Sequence, residues 1–213
     1  LDGEILWRRG APEEPGFYED PASFRPTDVA VAEGTDVYVV DGYGLGWLHR
    51  LDRRTGRWLG SWGGRGSEAG RFATPHGVHI DTRFAHGDTP PTVLVADREN
   101  HRLQRFSLDG ELLDIIEGML RRPCKIQQWG DSLVIPDLAG RVTILGADDS
   151  LVTQLGDNPD ESQRANYGVR PEQWVDGVFT APHSAAWDAD GNLYVMDWNQ
   201  WGRISRLMRV TPR

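Results

Sequence analysis

Apolar residues in this chain fall in short runs rich in β-branched and aromatic side chains. Val37-Tyr38-Val39-Val40, Val93-Leu94-Val95-Ala96, Leu133-Val134-Ile135 and Leu193-Tyr194-Val195-Met196 are such runs, and Asp41, Asp97, Asp137 and Asp197 close them. Gly, Pro, Asp and Asn punctuate the intervals, and a 3.6-residue apolar period is nearly absent. The pattern predicts an all-β protein of short strands and tight turns. No apolar run approaches the ~20 residues that span a bilayer.

The runs recur in a repeated unit. It opens on a proline and a short strand, continues through the run ending in aspartate and a strand carrying basic residues, and finishes on an outer strand near glycine. The first copy runs from Pro26-Thr27-Asp28-Val29 through Trp47-Leu48-His49-Arg50-Leu51 to Arg57–Gly63. The second runs from Pro75-His76-Gly77-Val78 through Arg102–Phe106 to Glu111-Leu112-Leu113. A degenerate third opens at Pro123-Cys124, and a fourth opens at Pro182-His183 and stops after Arg203–Val210. Opening prolines lie 49, 48 and 59 residues apart, the scale of a four-stranded propeller blade.

The expected organisation is one β-propeller domain over residues 1–213, with blade repeats at 26–74, 75–122, 123–181 and 182–213. Residues 1–25 would supply an outer strand and a connection, since Asp2–Leu6 reads like Asp109–Leu113. That strand either completes the fourth blade and closes a four-bladed ring, or belongs to a blade upstream. Residues 156–178 form a polar loop without a clear strand.

Charge narrows the partners. With 23 basic against 32 acidic residues and a net charge of −9, the chain lacks the clustered cations that nucleic-acid binding needs. A small-molecule or peptide substrate and a monomeric protein fit better. One cysteine, Cys124, rules out an intrachain disulfide framework. Leu1-Asp2-Gly3-Glu4 shows neither a basic nor an apolar leader segment. A secreted or periplasmic protein whose leader has been removed is consistent with this, and so is a fragment.

The candidate chemistry lies at the repeat starts. Pro75-His76 and Pro182-His183 place a histidine at the same point of two repeats, and Phe72 and Phe179 stand three residues before each proline. In a ring of repeats such positions converge on the axis, so His76 and His183 are candidate metal ligands. Cys124 occupies the matching point of the third repeat, either as a soft third ligand or as a small buried residue. His79 alternates to the other strand face and is not expected to ligate. Asp41, Asp97, Asp137 and Asp197 recur in every repeat, which suits turn capping and strand tying. Trp198 and Trp201 are expected at a channel rim.

Asp97–Phe106 resembles the core of the NHL repeat. In order along the chain, Pro26–Val31, Val40-Asp41-Gly42-Tyr43, Phe72–His76, Ala96–Asn100, Pro182-His183 and Asp190–Tyr194 are similar to the six-bladed peptidyl-α-hydroxyglycine α-amidating lyase family. The resemblance implies a zinc held by three histidines from alternate blades, His76 and His183 matching two of them. The third would lie in a blade upstream of residue 1, and the Cys124 position is not a ligand in that family. It further implies that Tyr43 is the catalytic tyrosine, that Arg98 is an active-site arginine able to bind a carboxylate, and that a carbinolamide collapses to amide and glyoxylate. Ser184 replaces an aspartate that helps hold a structural calcium in the family, so calcium is not expected. A non-catalytic NHL propeller that binds a peptide or protein is the alternative.

Overall fold

The computed structural model describes residues 3–14 and 16–210. The described residues form fifteen strands and short 3-10 turns, arranged as antiparallel meanders in two compact units, Leu1–Ile115 and Ile116–Arg213. No helix among them is long and apolar enough to cross a membrane.

The first unit holds two blades. β1 (Asp28–Ala30), β2 (Val37–Val40), β3 (Trp47–Leu51) and β4 (Trp58–Gly63) pair in sequence order. So do β5 (Pro75–Asp81), β6 (Thr92–Asp97), β7 (Arg102–Phe106) and β8 (Leu112–Ile116), whose last residue falls past the unit boundary. Tyr38, Val40 and Leu48 of the first blade share a core with Val78, Ile80, Val93 and Val95 of the second. A strand covered on both faces needs apolar residues throughout, which is why Val93-Leu94-Val95-Ala96 reads as an unbroken run and is fully buried. Tyr38 satisfies its hydroxyl by donating to the Leu108 carbonyl at 2.8 Å. Burial, offset in part by Arg50, pushes its phenol up to about 12.

The second unit holds β9 (Gln127–Trp129), β10 (Ser132–Asp137), β11 (Arg141–Leu145) and β12 (Leu151–Leu155), again in sequence order. Its other sheet, β13 (Pro182–Trp187), β14 (Leu193–Asp197) and β15 (Arg203–Leu207), has three strands. Val134 and Val142 pack there against Ala185, Leu193, Val195 and Phe179.

Two glycines explain the repeated phenylalanines. Gly63 at φ +99° and Gly156 at φ +60° take left-handed backbone, and a methyl group on either would overlap Phe72 or Phe179 respectively. A residue with no side chain thus ends β4 (Gly63) and follows the last strand of the third blade (Gly156), which lets the next segment seat its phenylalanine and return hydrogen bonds (Phe72 N to Gly64 O, 3.0 Å; Phe179 N to Gly156 O, 2.9 Å).

The expected strand at Asp2–Leu6 is not formed: Asp2 lies outside the described residues, and Gly3–Leu6 pair with no strand. Trp7 is anchored instead, its ring against Gly56 and its Nε1 donating to Arg53 O at 3.0 Å. The chain entry is therefore tied to the β3–β4 turn, and a local aromatic anchor overrides the strand pattern.

Candidate functional site

The four repeated aspartates set the geometry on which the site rests. Each is buried; Asp97, Asp137 and Asp197 end a second strand and Asp41 directly follows one. Asp97 accepts from Ala73 N (2.7 Å), and Asp197 from Thr180 N and Ala181 N (2.9 and 2.7 Å). Asp137 accepts from Arg121 N and Arg122 N at 3.0 and 3.1 Å. An arginine opening the third strand closes the bond set: Arg102 on Asp97 at 2.8 Å, Arg203 on Asp197 at 2.9 Å, Arg141 on Asp137 at 3.4 Å. Burial raises the pKa of Asp97 and of Asp137 against the pull of these donors. Their work is to hold the turn that delivers the opening proline and the residue after it.

At that point the inner strands carry a bulge. Pro75 faces Asp97 and Gly77 faces Ala96, so the register shifts at His76, one residue more than the facing strand supplies; Pro182, Ser184 and His183 repeat the arrangement opposite Asp197 and Met196. A bulge re-aims one side chain and is frequent beside functional sites. Strict alternation along the sequence cannot show an inserted residue, and this feature was not anticipated. Thr74, just before Pro75, is held at φ +57°, a strained conformation for a β-branched residue costing about 1–3 kcal/mol.

Within the first unit the structure brings together three of the residues named from sequence. Gly42 lies so close to Pro75 O that a side chain there would collide with it, and the turn it permits carries Tyr43 onto the bulge. The Tyr43 hydroxyl lies 2.9 Å from His76 Nε2, the two rings meeting edge to face at 5.5 Å. Arg98 donates to the same hydroxyl at 3.4 Å, and its guanidinium carbon stands 5.6 Å from the Tyr43 ring centre. Arg98 also pairs with Glu99, Nε to Oε1 at 2.9 Å.

In the second unit, Cys124 follows the Pro123–Asp137 bridge, its amide on Pro136 O at 2.9 Å. It is buried beside Leu138 and Ala181. His183 lies 6.5 Å, ring to ring, from Trp198, which packs at 4.6 Å against Tyr167 from the polar loop, the rings tilted by 42°. The loop is strandless as expected, with 3-10 turns at Glu161–Gln163 and Pro171–Gln173. Trp198, Trp201 and Tyr167 are exposed. His101 takes left-handed backbone after the 3-10 turn Arg98–Asn100.

A second polar network went unnoticed in the sequence. Trp58 Nε1 donates to Ser61 Oγ (2.9 Å), Ser61 Oγ meets His49 Nδ1 (2.6 Å), His49 Nε2 meets the Tyr18 hydroxyl, and Tyr18 donates to Asp41 (both 2.7 Å). Register shows the signal that could have revealed it: His49 is the counterpart of Gln104 and Thr143. Those two bond directly to the terminal aspartate of their own blades, at 3.0 and 2.8 Å. Burial lowers the His49 pKa to about 4, so the imidazole is neutral at pH 7, while burial and the bond to Asp41 raise the Tyr18 phenol.

Four meander sheets with these closing motifs define an all-β, NHL-type β-propeller. No protein-family model matches the chain. It is similar to NHL repeat-containing protein 3 of Mus musculus, 35% identical over 115 residues, 52% of this chain and 31% of that protein. The chain thus spans about a third of the length of this relative. Among solved structures it resembles hydrazine synthase of Kuenenia stuttgartiensis, with a TM-score of 0.60 and 10% identity over 97% of this chain and 48% of that one. A protein of unknown function from Bacteroides caccae gives 0.58 and 13%, covering 93% of this chain and 62% of that one. The computationally designed Ika4 protein gives 0.53 and 12%, covering 96% and 97%. At these identities the structural likenesses show the fold alone.

Proposed function

We propose that the protein is a zinc-dependent, lyase-like propeller acting on a carbinolamide such as a peptidyl-α-hydroxyglycine. The observation that carries this reading is the convergence of Tyr43, His76 and Arg98 on one phenol hydroxyl. His76 and His183, at matching points of two repeats, would hold the metal. Imidazole is a donor suited to zinc, and a catalytic zinc uses three protein ligands and one open position. When bound, the metal supplies Lewis-acid polarisation of a substrate oxygen.

The chain's own residues divide the remaining work. Arg98, a planar fork that keeps its charge, pairs with the substrate carboxylate in place of Glu99. Tyr43 would give its own proton to the departing nitrogen as it takes that of the substrate hydroxyl. As that proton leaves, the C–O bond becomes the carbonyl of glyoxylate, the C–N bond breaks, and the nitrogen departs as the amide after gaining a proton. No water is consumed.

Metal analysis of the purified chain tests this directly. Zinc should be present at one equivalent and lost in the His76→Ala, His183→Ala double variant, and a peptidyl-α-hydroxyglycine should be converted. A preparation that takes up no added zinc and turns nothing over removes the reading. The exposed Tyr167–Trp198 pair favours a second reading, a non-catalytic peptide-binding propeller. It expects peptide binding that persists with a chelator and is weakened by Trp198→Ala.

A further inference from the structure

Each repeat sets one residue before its opening proline: Arg25, Thr74, Arg122 and Ala181. Among them Thr74 alone takes left-handed backbone, at φ +57°. Three features of the residue oppose that conformation. Its Cβ is crowded there, the β-branch adds to the crowding, and the proline that follows favours extended backbone. Glycine would adopt the same conformation freely. Strain kept at a position where another residue would avoid it points to a role for the side chain.

Nothing inside the protein uses that side chain. The Thr74 carbonyl accepts from Arg98 N at 3.3 Å, but its hydroxyl makes no hydrogen bond to any described residue. The turn threonines Thr27 and Thr180 differ, donating to Pro75 O at 2.8 Å and to Asp197 Oδ1 at 3.3 Å. Thr74 instead lines a cleft of about 370 Å³ within the first unit, together with Gly42, Arg65, Gly66, Ser67 and Glu99. Arg65 gives one donor to Gly44 O at 2.7 Å, which leaves others of its fork for a ligand. Gly42 precedes Tyr43 and Glu99 follows Arg98, so the cleft begins where the Tyr43–Arg98 pair ends. A small cleft with a few convergent polar groups is the usual form of a ligand subsite.

We infer that Thr74 is a substrate-contact residue whose hydroxyl donates to a peptide carbonyl in the acyl part of the substrate, so that the site prefers peptide acyl groups to aliphatic ones. This rests on the function proposed above, in which Arg98 holds the substrate carboxylate and the chain of the departing amide leaves through the cleft. Arg98 and Thr74 then fix the two ends of one ligand, and the bond from Arg98 N to Thr74 O ties those two contacts together.

Calorimetry on the full chain with two unreactive probes tests the inference. One is a short acetylated peptide ending in glycine; the other is hexanoylglycine, which keeps the carboxylate but has no peptide group beyond its own amide. The wild type should bind the peptide more tightly. Thr74→Gly should raise the melting temperature by roughly 2–4 °C as the strain is relieved. It should nevertheless weaken the peptide by roughly 3- to 10-fold, the worth of one hydrogen bond, with hexanoylglycine unchanged. Thr74→Ser, which restores the hydroxyl, should keep the wild-type preference. A Thr74→Gly variant that keeps the peptide preference or melts lower overturns the inference, as does a wild type that binds the two probes equally or binds neither. Peptide preference without turnover of the hydroxylated peptide removes the lyase reading and leaves Thr74 as a peptide contact. Turnover without that preference does the reverse.

Discussion

The Ser61–His49–Tyr18–Asp41 chain makes a quantitative claim about acid stability. His49 is buried under Tyr18 and Phe24, with Ser61 and the Trp58 indole on its other side. With Tyr18 donating to Asp41, its oxygen accepts from His49 Nε2–H, and Nδ1 accepts the Ser61 hydroxyl. A second proton has nowhere to go without breaking the Ser61 bond in a desolvated site. Burial accordingly lowers the folded pKa to about 4 from 6.5. The sign follows from proton counts: between these values the unfolded chain binds more protons at this histidine, so stability rises with pH. The stability is undiminished above pH 6.5 and falls as pH drops toward 4, where the loss amounts to about 3 kcal/mol. Denaturant unfolding of the wild type and of His49→Gln, followed at several pH values across this window, isolates the effect, since other carboxylates cancel in the difference. Glutamine is the residue the second blade uses at the same register position. The gap between the two proteins should shift in favour of the variant by about 3 kcal/mol from neutral pH down to pH 4. Parallel pH profiles would refute the burial argument.

Other sites give equally direct expectations. Gly156→Ala should cost at least ~2 kcal/mol, because it forces a side chain into left-handed backbone and onto Phe179; thermal unfolding of this variant against Gly177→Ala, where a side chain would meet open space, separates the packing cost from the backbone cost. Asp197→Ala strands the amides of Thr180 and Ala181 and the Arg203 guanidinium, an expected loss of about 3–5 kcal/mol measurable by denaturant titration. Tyr43→Phe removes a hydroxyl from an exposed side chain. It should leave stability nearly unchanged while lowering turnover of a peptidyl-α-hydroxyglycine by roughly 10²–10⁴-fold, the usual worth of a positioned proton-transfer group.

The sequence exposes the blades because each strand reports its own environment. Val93-Leu94-Val95-Ala96 is apolar throughout because both its faces are covered, and the aspartate after each such run is fixed by donors arriving from a neighbouring turn. Those are local or repeated requirements, and repetition makes them visible. What stayed hidden was relational. The bulge at His76 is one residue more than the ladder needs, and it appears only when Pro75 and Gly77 are set against Asp97 and Ala96. The His49 network joins four positions spread over residues 18–61, two of them, Tyr18 and Asp41, outside any strand. The expected strand at Gly3–Leu6 failed for a related reason: its pattern matches an outer strand, but Trp7 supplies a stronger local anchor at Gly56 and Arg53. Tyr43 and Arg98 sit between these cases. Resemblance singled them out, but only the close approach of Gly42 to Pro75 explains how a turn in the first blade reaches a histidine in the second. The same glycine therefore carries a packing constraint that neither its own conformation nor its local sequence announces: a side chain there would collide with Pro75 O and Thr27.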